Sequence, residues 1–210
     1  MIDQTVGHYR ITAKLGAGGM GEVYLAEDTT LDRKVAVKIL PTEVAGDPAK
    51  RQRFVKEAKA ASALNHPHVC VIYEVGETQD GRLFLAMEFV EGQALDVLVH
   101  KGPLPISQAV DIGIQTADAL DAAHAKGIAH RDIKPANIIL SERGVKVLDF
   151  GLAKRVGPDE VGGTSDIGQT RSGHIVGTPT HMSPEQALGK TVDHRTDLFS
   201  LGVVLYELVT

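Results

Sequence analysis

The run His130-Arg131-Asp132-Ile133-Lys134-Pro135-Ala136-Asn137, with Asp149-Phe150-Gly151 starting twelve residues beyond Asn137, constrains this chain more than any other stretch. Between the two clusters, Ile138-Ile139-Leu140 and Val145-Lys146-Val147-Leu148 read as short strands about a turn at Ser141–Gly144. A hairpin of that kind returns the chain on itself, so Asn137 at its start lies close to Asp149 at its end. Two carboxylates, a carboxamide and a lysine are thereby gathered on two adjoining loops.

Amide and carboxylate oxygens are hard ligands, suited to Mg²⁺ shared with substrate phosphates. Asp132 stands beside that pair, placed to orient an attacking hydroxyl, and the residues read as a phosphoryl-transfer site. Both motifs, in this order and spacing, resemble the protein kinase family; with Lys134, Thr178 and the run Met182-Ser183-Pro184-Glu185-Gln186, the likeness is to the eukaryotic-like serine/threonine kinases of bacteria. The resemblance implies an α+β, bilobal kinase-like fold. A small β-rich N-lobe with one long helix would occupy residues 1–90. A mostly helical C-lobe, incomplete at its C-terminal end, would occupy 91–210.

The bulk properties agree with that reading. A chain of 210 residues has ample length for one medium domain or two small lobes, and 43% hydrophobic with 23% charged residues is ordinary for a globular protein. A formal charge of -5 provides no general basic footprint for nucleic acid. Cys70 is the single cysteine, which excludes an intrachain disulfide framework and fits a reducing compartment. Its apolar setting, Val69-Cys70-Val71-Ile72, reads as a buried strand thiol. Residues Met1 to Arg10 lack the charged-then-apolar pattern of a signal peptide. No apolar run reaches the ~18–20 residues that span a bilayer. The longest, Leu198 to Val209, carries Glu207. The expectation is a cytoplasmic chain with no membrane segment.

In the N-terminal part, Tyr9 to Leu15 alternates and then meets Gly16-Ala17-Gly18-Gly19-Met20-Gly21. A lone G-x-G-x-x-G also occurs in dinucleotide-binding folds, but there it opens a helix. Here Glu22 to Ala26 reads as a strand, so the glycines join two strands of a hairpin and let backbone N–H groups approach phosphates closely. On these motifs the resemblance implies nucleotide contacts from Leu15, Gly16, Gly18, Gly21 and Val23. Val23 and Ala36 would roof the adenine, and Lys38 in Val35-Ala36-Val37-Lys38 would contact the α- and β-phosphates. Asp47-Pro48 begins a helix running through Phe54, Ala58, Ala61 and Leu64. In it, Glu57 sits where the family places the partner of that lysine; the alternative is a pair with Arg53 or Lys56 on its own helix. His66-Pro67-His68 has no metal-ligand spacing and reads as a turn. Strands are expected at Val69–Val75 and Arg82–Phe89. By resemblance, Met87 is the gatekeeper, Glu88-Phe89-Val90 is the hinge that bonds adenine, and Ile139 also lines the nucleotide.

Further along, Ser107 is expected to cap a core helix whose apolar positions Val110, Gly113/Ile114, Ala117, Leu120 and Ala123/His124 follow a 3.6-residue period, with His124 as a satisfied core histidine. The resemblance assigns Asp132 as the catalytic carboxylate, Lys134 to the γ-phosphate, and Asn137 with Asp149 to the metal. Thr178, in Gly177-Thr178-Pro179, matches the threonine that bonds Asp132 and Lys134 in serine/threonine-specific members. His130 and Phe150 are implied to stack as structural residues, and Asp197 to anchor the catalytic-loop backbone. Arg131 is implied to clamp a phosphate on the activation segment. Thr170 and Ser172, seven and five positions before Gly177, are the expected autophosphorylation sites. Met182-Ser183-Pro184-Glu185-Gln186 is a bacterial form of the segment's closing motif. The departure from pattern is His181, where tyrosine is usual, which bears on peptide preference.

The expected function is therefore transfer of the γ-phosphate of ATP to protein serine and threonine hydroxyls. ATP and Mg²⁺ are the cofactors, proteins the substrates, and a homodimer the arrangement for trans-autophosphorylation. The rival is a truncated kinase-like module that binds nucleotide or a partner without transfer. Intact Lys38, Glu57, Asp132, Asn137 and Asp149 argue against the rival. Its support is that the chain ends inside the helix begun near Asp197, whereas the family domain continues for about fifty residues and supplies an arginine to Glu185.

Overall fold

The structure, a computed structural model, describes residues 2–18, 21–150 and 179–210. Its contacts divide it into two compact units: Met1–Ala63 with Val71–Phe89, and Leu64–Cys70 with Val90–Thr210.

The first unit is a six-stranded antiparallel sheet. Its strands are β1 (Thr5–Val6), β2 (Tyr9–Gly18), β3 (Gly21–Asp28), β4 (Arg33–Ile39), β5 (Ile72–Glu77) and β6 (Leu83–Glu88), ordered β1-β2-β3-β4-β6-β5. Period-two alternation sorts their side chains onto two faces. Tyr24, Val37 and Ala86 are consecutive partners across β3, β4 and β6. With Tyr9, Ile11 and Phe84 they form a buried apolar cluster. Residues one step away in register (Val23, Lys38 and Leu85) therefore point to the opposite face.

Two helices follow β4: α1 (Thr42–Ala45) and α2 (Pro48–Ser62). Asp47 caps α2, its carboxylate accepting from the N–H groups of Ala49 (3.0 Å) and Lys50 (3.2 Å), and Pro48 fills the first helical position, where no donor is needed. Phe54, Ala58 and Ala61 form its buried stripe. Leu64 is buried but lies beyond the helix, in the second unit.

The strand expected from Val69 begins instead at Ile72. Val69 makes an isolated parallel bridge to Val147, and the Cys70 N–H donates to the Val147 carbonyl at 2.9 Å, so this stretch is tied to another hairpin. The Cys70 thiol is buried as expected, though outside any strand.

The second unit contains β7 (Gly92–Ala94), α3 (Leu95–Val99), α4 (Ile106–His124), a 3-10 turn at Pro135–Asn137, β8 (Ile138–Ser141), β9 (Gly144–Val147), α5 (Pro184–Ala187) and α6 (Arg195–Val209). The β7, β8 and β9 strands pair in that order. Gly92 opens this sheet because a Cβ there would lie 2.4 Å from the Leu140 carbonyl oxygen.

Two expectations for α4 are corrected. Ser107 lies inside the first turn; the cap position is Pro105, with φ −53°, ψ 138° and no side-chain hydrogen bond. The 3.6-residue period holds, and Gly113, Leu120 and Ala123 are buried as expected, but Val110, Ile114 and Ala117 fall outside the buried stripe. Ala109, Ile112, Thr116, Ala119 and Leu120 are buried, whereas Val110 and Ile114 are 51% and 62% exposed. Small residues win the core face because α6 packs close. A Cβ on Gly113 would come within 3.0 Å of the Leu205 side chain. On α6, Asp197, Val204 and Leu208 are fully buried. Among the described residues, no helix is long and apolar enough to cross a membrane.

Candidate active site

In the first unit, strand register gathers four of the predicted residues. Val23 is the direct partner of Lys38, and Ala36 that of Met87. Because Ala36 and Lys38 are two apart on β4, all four side chains share the sheet face opposite the apolar cluster. Ala36, Lys38 and Met87 are each only 6% exposed. The β2 and β3 strands are paired as far as Gly18 opposite Gly21. Gly21 must be glycine: its φ is +112°, and a Cβ would sit 2.1 Å from the Ile39 carbonyl oxygen. Gly16 and Gly18 are exposed on β2, as is Leu15. Glu57 is half-buried on α2, on the edge of its apolar stripe. At the end of β6 the Glu88 N–H donates to the Val71 carbonyl at 2.8 Å, and the Glu88 carboxylate accepts from Val71 N–H at 3.2 Å.

In the second unit, Val90 is half-buried ahead of β7, and Ile139 on β8 is the register partner of Ala94. The hairpin does what the sequence implied. Ile138 pairs with Val147, and the Leu148 N–H donates to the Asn137 carbonyl at 2.9 Å, so Asn137 and Asp149 flank the same strand ends. Asp132 Oδ2 is held by two donors, Lys134 Nζ at 2.9 Å and Asn137 Nδ2 at 3.1 Å. The same Asn137 nitrogen donates to the Asp132 carbonyl at 2.8 Å.

Arg131 and Asp149 both adopt left-handed backbone, φ 66° and 58°. For a residue with a Cβ this costs about 1–2 kcal/mol. Such conformations persist where surrounding contacts over-determine them. Arg131 meets that condition. The fully buried Asp197 accepts its N–H at 2.6 Å and that of His130 at 2.8 Å. His130 is itself buried and stacks edge-on against Phe150, ring centroids 4.8 Å apart. Its Nε2 meets the Leu148 carbonyl at 2.7 Å, and its Nδ1 accepts the Asp132 N–H at 3.2 Å. The neutral Nε2–H tautomer satisfies both. Burial pushes its pKa below the ordinary value, against an opposing pull from the Asp197 charge.

Some partners were not legible beforehand. His124, expected only as a satisfied core residue, bonds Asp197 Oδ2 through Nε2 at 2.8 Å. His66 approaches the Asp118 carboxylate at 3.2 Å and His68 the Val145 carbonyl at 2.9 Å, tying their segment to α4 and β9. His181 Nε2 lies 3.0 Å from Glu207 Oε2. Gln186 Nε2 donates to the Arg131 carbonyl at 2.9 Å. Each pair is more than twenty residues apart in sequence, and no local pattern marks it. Thr170, Ser172 and Thr178 lie outside the described residues.

An antiparallel six-stranded sheet with one long helix, and a helical unit whose loops collect a carboxylate, a lysine and a carboxamide, define the α+β class expected for phosphoryl-transfer domains. The chain belongs to the protein kinase family, matching the protein kinase domain over residues 9–210. It is 44% identical over 218 residues to the serine/threonine-protein kinase pkn3 of Myxococcus xanthus, an alignment covering 100% of this chain and 39% of that protein. To the serine/threonine-protein kinase PknB of Mycobacterium leprae it is 44% identical over 207 residues, covering 96% and 32% respectively. The chain thus spans well under half the length of these relatives. Among solved structures it resembles the PknI kinase domain of Mycobacterium tuberculosis, with a TM-score of 0.79 at 30% identity, covering 100% of this chain and 75% of that one.

Proposed function

We propose that this chain transfers the γ-phosphate of ATP to serine and threonine hydroxyls of proteins. The observation that carries the reading is the Asp132 carboxylate held by Lys134 and Asn137 beside the hairpin that brings Asn137 to Asp149. Fixing Oδ2 with two donors sets the plane of the carboxylate. Asp132 can then accept a hydrogen bond from a substrate hydroxyl and hold it in line with the phosphorus. As the new O–P bond forms and the bond to the β,γ-bridging oxygen breaks, the hydroxyl proton passes toward Asp132 and ADP departs. Positioning and charge neutralisation supply most of the acceleration in such a transfer.

The donor set fits Mg²⁺. Because the Asn137 amide nitrogen is committed to Asp132, its Oδ1 remains to act with the Asp149 carboxylate as a pair of hard ligands. Two such ligands suit an ion that keeps several waters and takes phosphate oxygens. Bound there, Mg²⁺ would neutralise phosphate charge. Lys134 is assigned to the γ-phosphate, and Lys38, paired with Glu57, to the α- and β-phosphates. By resemblance, Val23, Ala36 and Met87 of the first unit are assigned to the adenine, with a backbone bond from Glu88, and Val90 and Ile139 of the second unit are assigned to the nucleotide. Thr178 is assigned to serine/threonine selectivity. Arg131 with phosphorylated Thr170 and Ser172 is assigned to activation.

The test is incubation with γ-labelled ATP, Mg²⁺ and a basic acceptor protein, followed by phosphoamino-acid analysis. The reading predicts phosphoserine and phosphothreonine without phosphotyrosine, abolished by EDTA. Nucleotide binding with no transfer would establish the rival, a kinase-like binding module.

A further inference from the structure

We propose that Gln186 is a positioning residue for Asp132, setting through its carboxamide the peptide plane from which the catalytic carboxylate projects; this rests on the reading of Asp132 as catalytic. The peptide that joins Arg131 to Asp132 is pinned at both ends. Its oxygen accepts from Gln186 Nε2 at 2.9 Å, and its N–H donates to His130 Nδ1 at 3.2 Å. These two bonds fix the rotation of a peptide that follows a left-handed residue, Arg131 at φ 66°. Rotation of that plane would carry the Asp132 side chain with it.

Gln186 is held in turn. It stands three residues after Ser183, the N-cap of α5, and its Oε1 accepts the Ser183 N–H at 3.1 Å while its own N–H reaches Ser183 Oγ at 3.4 Å. Ser183 is fully buried and its hydroxyl bonds Thr196 Oγ1 of α6 at 2.7 Å. The side chain therefore runs a relay from α6, through the capping box, to the carbonyl before Asp132. Glutamate would close a capping box equally well. It could not donate to a carbonyl, because an ionised carboxylate only accepts. The presence of an amide at this position is what the relay requires.

The experiment separates the two jobs in the full 210-residue chain. Q186E keeps the acceptor for Ser183 and loses the donor; Q186M is close in length and loses both. Steady-state transfer and amide hydrogen exchange over residues 128–137 are measured for both, with thermal melting as the folding control. The expected result is a fall in kcat of about 10- to 100-fold in both variants. ATP KM should be unchanged and exchange at 128–137 faster, with melting near parental in Q186E and lower in Q186M, which also gives up the cap. Parental kcat and exchange in Q186E would overturn the proposal and leave Gln186 a cap. If Q186E fails to fold, Q186M decides: parental kcat and exchange with no donor at position 186 overturn the proposal. A parent that transfers no phosphate would refute the kinase reading, and the exchange comparison would still decide the role of Gln186.

Discussion

Asp197 Oδ1 accepts the Arg131 N–H at 2.6 Å from a position with no solvent exposure. Its Oδ2 takes the His130 N–H and faces His124 Nε2, each at 2.8 Å. One carboxylate on α6 thus holds two successive peptides of the catalytic loop. Asp197→Asn offers a single acceptor oxygen and turns an NH₂ toward a donor. We predict a stability loss of about 2–4 kcal/mol in urea unfolding. Transfer should fall with ATP KM unchanged, because the loop loses its fixed backbone. Parental stability would contradict the anchoring role.

His130 predicts a pH dependence of stability. Burial lowers its pKa in the folded state, so the folded ring stays neutral while the unfolded ring takes a proton near its ordinary value of 6.5. The unfolded state then binds more protons as pH falls. The neutral ring's contribution is complete above about pH 6.5 and is progressively lost as pH falls toward the lowered folded value. His130→Phe keeps an aromatic surface for Phe150 and removes the titration. Unfolding free energies from urea titrations between pH 7.5 and 5 should show a slope shallower than the parent's by up to about 1.4 kcal/mol per pH unit. Identical slopes would mean that His130 is not buried neutral.

Asp149→Asn tests the metal assignment while sparing the backbone, since asparagine tolerates the left-handed conformation seen at Asp149. It exchanges a charged ligand for a neutral one. The expected outcome is a Mg²⁺ requirement shifted to higher concentration and a kcat lower by about 100-fold, with thermal melting unchanged in the absence of metal. A parental Mg²⁺ titration would remove Asp149 from the metal site.

Much of this architecture is legible in residue order because the determinants are local. The Ile138–Leu148 hairpin, the Asp47-Pro48 helix start and the pairing of β2 with β3 each rest on turn, cap and alternation chemistry within a few residues. Register explains why Val23, Ala36, Lys38 and Met87 share a face: alternation is strict once the strands are known. The phase of α4 was legible only in part: Gly113, Leu120 and Ala123 are buried as read, but hydropathy also favours Val110 and Ile114, which are exposed, whereas close approach of Leu205 suits a glycine at 113. The start of β5 was not legible, because Val69 and Cys70 are drawn to Val147. Resemblance singled out Asp197 as an anchor, but its third partner, His124, and the contact from Gln186 to Arg131 are set by how distant helices meet. Spacing alone contains no trace of them.

The most direct test of the central claim is the intact mass of the purified chain before and after Mg²⁺-ATP, with Asp132→Asn alongside. Catalysis by Asp132 predicts whole-phosphate increments in the parent and none in the variant, with both proteins folded by circular dichroism. Fragment mapping would then locate the phosphates at Thr170 and Ser172. Equal phosphate incorporation in parent and variant would contradict the account, since transfer would then proceed without the carboxylate around which it is built.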